Sequence, residues 1–134
     1  HTNNLSKKIN DINQNPIVEC IFYSKINKTQ IRISGIAEIF TMNNIGEFLC
    51  EKRWDEMSSQ SKQCYFQNIA PGDIIDSPNQ VQMKNIDDLN IISKNFAVVK
   101  INISIIDWLY LSYKGHRRVK FEKNRDFEGS WVAP

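Results

Sequence analysis

The sequence predicts a mainly β domain with inserted helices, of the α+β class. Three observations carry this reading. Two runs rich in β-formers, Ile17 to Tyr23 and Thr29 to Thr41, are separated by the polar stretch Ser24 to Lys28. Four more strand-like runs close the chain: Phe96 to Ile103, Trp108 to Ser112 (as an extension of the first or a new strand), Arg117 to Lys123 and Ser130 to Ala133. Between the two groups, Ile45 to Phe66 shows helical spacing of its apolar residues instead, and no internal repeat is present.

Leu5, Ile9 and Ile12 are spaced four and three apart, which predicts one apolar face of a short helix ended by Asn15-Pro16. Thr2, Asn3 or Asn4 would cap its start. The two runs that follow predict a β-hairpin turning through Ser24 to Lys28. On its second strand Gln30, Arg32 and Ser34 share one face and Ile31 and Ile33 the other, because side chains alternate at period two. Gly35 then permits a bulge or the close approach of another backbone. Ile45, Phe48, Leu49, Trp54 and Met57 suit one or two helices, the second capped by Ser58, and Pro71-Gly72 stops the region. Asp73 to Lys94 reads as a long surface loop with a single helical turn at most.

With 134 residues, 41% of them hydrophobic and 24% charged, the chain is expected to form one domain with one core. Its 17 basic and 15 acidic residues leave a formal charge of +2, too near balance to argue for nucleic acid. The longest apolar stretch, Phe96 to Leu111, is broken by Lys100, Asn102 and Asp107, so no membrane span is expected. Cys20, Cys50 and Cys64 are odd in number and lie in no metal-ligand spacing; they read as reduced core thiols of a cytoplasmic protein without a metal site. The first residue is His1, and a helical pattern begins almost at once, with no strand before it. A chain starting inside a domain would look like this.

The residues best suited to chemistry are Thr2-Asn3-Asn4-Leu5-Ser6-Lys7-Lys8, which place two hydroxyls and two ammonium groups at the start of a helix. Free N–H groups and a partial positive charge there suit a phosphate. Taken alone, the same segment also reads as a capped, solvated turn.

This segment, followed by Asn15-Pro16, resembles the Thr-Asn, Ser-Arg/Lys-Lys and Asn-Pro element of the pyridoxamine 5′-phosphate oxidase-like FMN-binding split-barrel family. Thr29-Gln30-Ile31-Arg32-Ile33-Ser34-Gly35 is similar to the family's Arg-Gln-Val-Arg-Val-x-Gly strand, and Lys114-Gly115-His116-Arg117-Arg118 to its Arg-x-His-x-Arg element. The closing Trp131-Val132-Ala133-Pro134 resembles the family's end. The resemblance implies the C-terminal part of an FMN-binding split β-barrel over residues 1–134, with the barrel's first strands preceding Thr2. It implies a homodimer with FMN at the subunit interface. The FMN phosphate would be held by Ser6, Lys7 and Lys8 beside Thr2, and the flavin would be met by Gln30 and Arg118. Trp108 stands ten positions before Arg118, as the family's flavin-contacting tryptophan does, whereas alignment on Ile106-Asp107 puts Leu109 there. Lys114 and His116 stand where the oxidases meet a small-molecule substrate.

The chain departs from the oxidases where the substrate phosphate is clamped. Only Glu51-Lys52-Arg53-Trp54-Asp55-Glu56-Met57-Ser58-Ser59 represents their His-Ser-Arg-Pro and Ser-Gln helix. Two readings therefore stand together: an FMN-dependent oxidoreductase of undefined substrate, and a flavin-binding or regulatory protein without turnover. A third, a nucleic-acid-binding barrel using Lys114 to Lys120 with Trp108, Tyr110 and Tyr113, runs against the charge balance.

Overall fold

A computed structural model describes residues 1–43, 46–81 and 88–134 of the chain. Ile45 and residues 82–87, which belong to the predicted helical region and loop, lie outside the described residues. The chain divides into two compact units, His1–Asn15 with Glu38–Lys100 and Pro16–Ala37 with Ile101–Pro134.

The first unit opens on a strand that the sequence did not announce. β1 (Thr2–Asn3) pairs antiparallel with the start of β4 (Phe96–Tyr110), Thr2 facing Ala97 and Asn3 facing Phe96. Two residues are too few to show a period, so only their partner strand reveals them. α1 (Lys7–Gln14) therefore begins later than the spacing of apolar residues suggested, with Ser6 as its N-cap residue and Ile9 buried. Thr2 and Asn3 do not cap it: Thr2 is committed to the strand, and the Asn3 side chain accepts from Leu5 N–H at 2.8 Å. Leu5 falls outside the helix and is 42% exposed. The helix stops at Asn15, before Pro16, as predicted.

α2 (Glu47–Asp55) places Cys50 and Trp54 one above the other on its buried face, four residues apart. α3 (Ser59–Gln63) is capped by Ser58, whose hydroxyl accepts from Ser61 N–H at 3.3 Å, and continues into a 3₁₀ turn over Cys64–Phe66. Trp54, Phe96, Cys50, Tyr65 and Val98 form the buried core. Phe96 meets Trp54 and Tyr65 edge-on at ring separations of 5.1 and 5.0 Å, the arrangement aromatic quadrupoles favour.

The segment leading into β4 carries more structure than its polar composition suggested. Trp54 donates its indole N–H to the Leu89 carbonyl at 2.9 Å. The Ser93 hydroxyl donates to the Tyr65 carbonyl at 2.6 Å, and the Asn95 amide donates to the carbonyls of Tyr65 and Gln67 at 3.1 and 2.8 Å. Ser93 and Asn95 are buried, and a buried polar side chain that is hydrogen-bonded in this way pins a loop instead of weakening a core. A 3₁₀ turn over Pro78–Gln80 is the single turn expected of the loop.

The strand order of the six-stranded sheet is β2-β3-β4-β5-β6, with β1 off this path against β4, and the path does not close into a barrel among the described residues. β2 (Ile17–Ser24) and β3 (Thr29–Phe40) make the predicted hairpin, in a register running from Ile17 opposite Ile36 to Ser24 opposite Thr29. Its turn is held by Asn27 N–H donating to the Ser24 hydroxyl at 3.2 Å, with Lys28 in the left-handed region. The runs Phe96 to Ile103 and Trp108 to Ser112 are one continuous strand, β4. β5 (Arg117–Glu122) and β6 (Gly129–Val132) follow within a residue or so of their predicted bounds.

Gly35 is where another backbone comes close, as its place in the strand implied. A methyl group built on it would overlap the Asn102 carbonyl oxygen and stand 2.9 Å from Cγ2 of Ile101. The Gly35→Ala variant should therefore lose about 1–3 kcal/mol, the usual cost of overpacking against atoms that cannot move alone. Urea unfolding checks this, and an unchanged midpoint would show that β3 and β4 separate freely there.

Candidate functional site

The residues read from the sequence as a phosphate site stand at the N-terminus of α1, in the first unit. Ser6 is only 6% exposed, yet its side chain makes no capping hydrogen bond. Its Oγ instead lies 3.5 Å from Oγ1 of Thr2. Ile9 N–H closes the first turn on the Ser6 carbonyl at 3.0 Å, so the N–H groups of Lys7 and Lys8 lie ahead of the helix's own hydrogen-bond ladder. Lys7 and Lys8 are exposed, and among the described residues neither has an ion-pair partner. Two adjacent hydroxyls and two first-turn amides thus stand at the helix start, with the exposed Lys7 and Lys8 following them in the chain. This is the chemistry that a phosphate monoester requires.

The second unit carries the remaining predicted residues, but not all on one face. The β4–β5 register sets Leu109 opposite Arg118 and Trp108 opposite Val119. By alternation Asp107, Leu109 and Arg118 share one face, while Trp108 and Tyr110 share the other, their rings stacked at 6.3 Å and 11°. On β3, Thr29 and Ile31 line a shallow depression together with Trp108 and Phe22. Gln30 and Arg32 point the opposite way from Thr29 and Ile31, to the side of Asp107 and Arg118.

On that face Arg118 is already engaged. Its Nε donates to Asp107 Oδ1 at 2.9 Å and its Nη2 to Oδ2 at 2.6 Å, a two-pronged ion pair in which Asp107 is 8% exposed. The hydrogen bonds from Arg118 hold the Asp107 carboxyl below the usual carboxylate range against the opposing effect of burial, and attraction from Arg118, Arg32 and Lys120 adds to this. Sequence reasoning used Asp107 as a break in the apolar stretch and as an alignment marker, and gave it no role in the site. The available signal was a lone carboxylate inside an apolar strand, which needs a partner to be tolerated there.

Lys114 and His116 lie in the turn between β4 and β5, where Gly115 supplies a positive φ of 118°. Ser112 N–H donates to Nδ1 of His116 at 3.1 Å, which places that ring's proton on Nε2. Lys114 is exposed, its ammonium 5.7 Å from the Tyr113 ring centre.

The stretch that stands where the oxidases carry a substrate-phosphate clamp, and from which the clamp was expected to be missing, uses its polar groups internally. Arg53 pairs with Glu56 at 2.7 Å, and the Ser58 hydroxyl accepts from Ser61 N–H while donating to the Ser61 hydroxyl. Sequence reasoning also missed a cleft of about 560 Å³ in the first unit, lined by Asn3, Cys64, Tyr65, Ile69, Pro71 and Ile75. Cys64 is exposed and Cys20 half-buried, so only Cys50 is the core thiol that all three were expected to be. The exposure of Cys64 follows from its place in the short 3₁₀ turn after α3, where the next residue, Tyr65, turns inward. No helix among the described residues is long and apolar enough to cross a membrane.

Comparison with solved structures establishes the fold. A pyridoxamine 5′-phosphate oxidase-related, FMN binding protein from Nostoc punctiforme PCC 73102 matches 99% of this chain with a TM-score of 0.84 at 21% identity, over 71% of its own length. PhzG from Burkholderia lata 383, solved in complex with tetrahydrophenazine-1-carboxylic acid, matches 99% of the chain with a TM-score of 0.74 at 16% identity, over 66% of its length. The mostly antiparallel sheet with a few helices is thus the one found in split-barrel structures of the pyridoxamine 5′-phosphate oxidase-like kind. No protein-family model and no curated protein matches the sequence.

Proposed function

We propose that the chain is the C-terminal part of an FMN-binding split-barrel domain and that the protein is a cytoplasmic, homodimeric flavoprotein, with FMN at the subunit interface. The observation that carries this reading is Ser6: a buried hydroxyl at a helix N-terminus, left out of capping, beside Thr2 and followed by two exposed lysines. Thr2, Ser6, Lys7 and Lys8 hold the phosphate. Gln30 and Arg118 meet the flavin, the amide both donating and accepting and the guanidinium adding positive charge. Of Trp108 and Leu109, Leu109 shares the Arg118 face and is the better candidate for a ring held by that arginine. When bound, FMN supplies redox chemistry, while the chain's residues bind and orient it. The activity that follows is an oxidoreductase acting on a small molecule, with Lys114 and Nε2–H of His116 as its polar contacts.

A second reading, a flavin-binding or regulatory protein without turnover, is favoured by the internal use of Arg53 and Ser58. It removes the charge-assisted hydrogen bonds a phosphorylated substrate would need. One experiment separates the two. The full-length protein is loaded with FMN and mixed anaerobically with pyridoxamine 5′-phosphate and with simple amines and alcohols. Bleaching of the flavin supports the oxidoreductase, a bound but unresponsive flavin supports the second reading, and failure to bind FMN removes both.

A further inference from the structure

We propose that Asp107 is the positioning residue of the flavin-facing arginine, fixing the plane of the Arg118 guanidinium and tempering its charge; this rests on the flavin reading above. Asp107 stands in β4 between apolar neighbours, Ile105 and Ile106 before it and Trp108 and Leu109 after it. A carboxylate in such a place is kept only when its charge is met by well-aligned donors. Arg118 meets it with Nε and Nη2, and the fork-on-fork geometry sets the orientation of the guanidinium as well as its distance. The arginine's side chain is 23% exposed, so without the carboxylate nothing comparable among the described residues would hold it in one rotamer.

The pairing occupies one edge of the guanidinium and leaves Nη1 for another acceptor. It also alters the charge of the face. Arg32 and Lys120 lie near enough to act on Asp107 together with Arg118, so its charge offsets part of theirs on this face, which by strand alternation also carries Glu122. A flavin ring bound there would meet an arginine whose direction and effective charge both depend on Asp107. Removing the carboxylate's charge while keeping its shape should therefore loosen the arginine's aim and, by leaving the face more positive, favour the reduced flavin.

The test is a double-mutant cycle on the full-length flavin-loaded protein, with Asp107→Asn, Arg118→Gln and the pair combined, read by FMN affinity and by the flavin's reduction potential. Asp107→Asn is expected to weaken FMN about tenfold. It is also expected to raise the two-electron potential by about 30 mV, equivalent to a tenfold preference for reduced over oxidised flavin. In the Arg118→Gln background it should no longer weaken FMN, and only the smaller, direct effect of the lost charge on the potential should remain. A purely structural ion pair would leave FMN affinity unmoved by Asp107→Asn. Arg118→Lys, which keeps the charge but cannot span both carboxylate oxygens, should weaken FMN as Asp107→Asn does and covers the case in which the latter does not fold. The inference is overturned if FMN binds the wild type but Asp107→Asn or Arg118→Lys leaves affinity and potential unchanged. Equal losses from Asp107→Asn with and without Arg118 would also overturn it. A wild type that takes up no FMN would remove the flavin reading itself, and this inference with it.

Discussion

Replacing Trp54 with alanine should cost about 3–5 kcal/mol, the range measured when a large aromatic is cut from a closed core. Trp54 is fully buried and holds Phe96, Tyr65 and Phe66 edge-on around it. Its indole N–H also ties the Leu89 carbonyl to α2, so the truncation would both open a cavity and orphan a hydrogen-bond acceptor. Domains are stable by only about 5–15 kcal/mol, so a loss of this size leaves little margin. The expected result is a large fall in the urea midpoint with loss of the near-ultraviolet aromatic signal. Trp54→Phe should recover much of the packing but not the bond to Leu89. A Trp54→Ala protein unfolding within about 1 kcal/mol of wild type would mean that the first unit's core is organised around something else.

Replacing Lys7 and Lys8 together by alanine should weaken FMN about a hundredfold with little change in stability. A charge-assisted hydrogen bond contributes about 1.5–3 kcal/mol, and because both lysines are exposed the lower figure applies to each. Two such contacts amount to about 3 kcal/mol, or roughly two decades in Kd. The unfolding midpoint should move by no more than about 0.5 kcal/mol, as for other exposed substitutions. Flavin fluorescence titration at two salt concentrations checks both parts, since the wild type should lose affinity with salt more steeply than the variant. Equal affinities would place the phosphate elsewhere.

Much of this architecture was legible because it is local. The β2–β3 hairpin follows from two β-rich runs and a polar turn, the Ser58 cap from a hydroxyl at a helix start, and Gly35 from a missing side chain in a strand. Residues that act through distant partners were not legible. Ser93 and Asn95 looked like loop polarity, yet they are buried donors to carbonyls at Tyr65 and Gln67, 28 to 30 residues away. β1 is invisible without β4, and the pairing of Asp107 with Arg118 depends on a register set between strands.

The candidate site divides in the same way. Thr2, Ser6, Lys7 and Lys8 are neighbours in sequence, so their pattern could be read directly. Trp108 and Arg118 are ten residues apart across a turn, and spacing alone could not say that they face opposite sides of the sheet. Leu5 failed for a related reason: helical spacing does not mark the residue at which a helix begins, and the backbone of Asn3 and Thr2 was already committed to β4.

The central claim, an anion pocket at the start of α1 shaped for a phosphate, is tested most directly by comparing FMN with riboflavin, the same flavin without its phosphate. Equilibrium dialysis of the full-length apoprotein against each ligand should show FMN bound at least a hundredfold more tightly, with the difference largely abolished in Ser6→Ala combined with the two lysine substitutions. Equal binding of the two ligands, or binding of neither, would contradict the account.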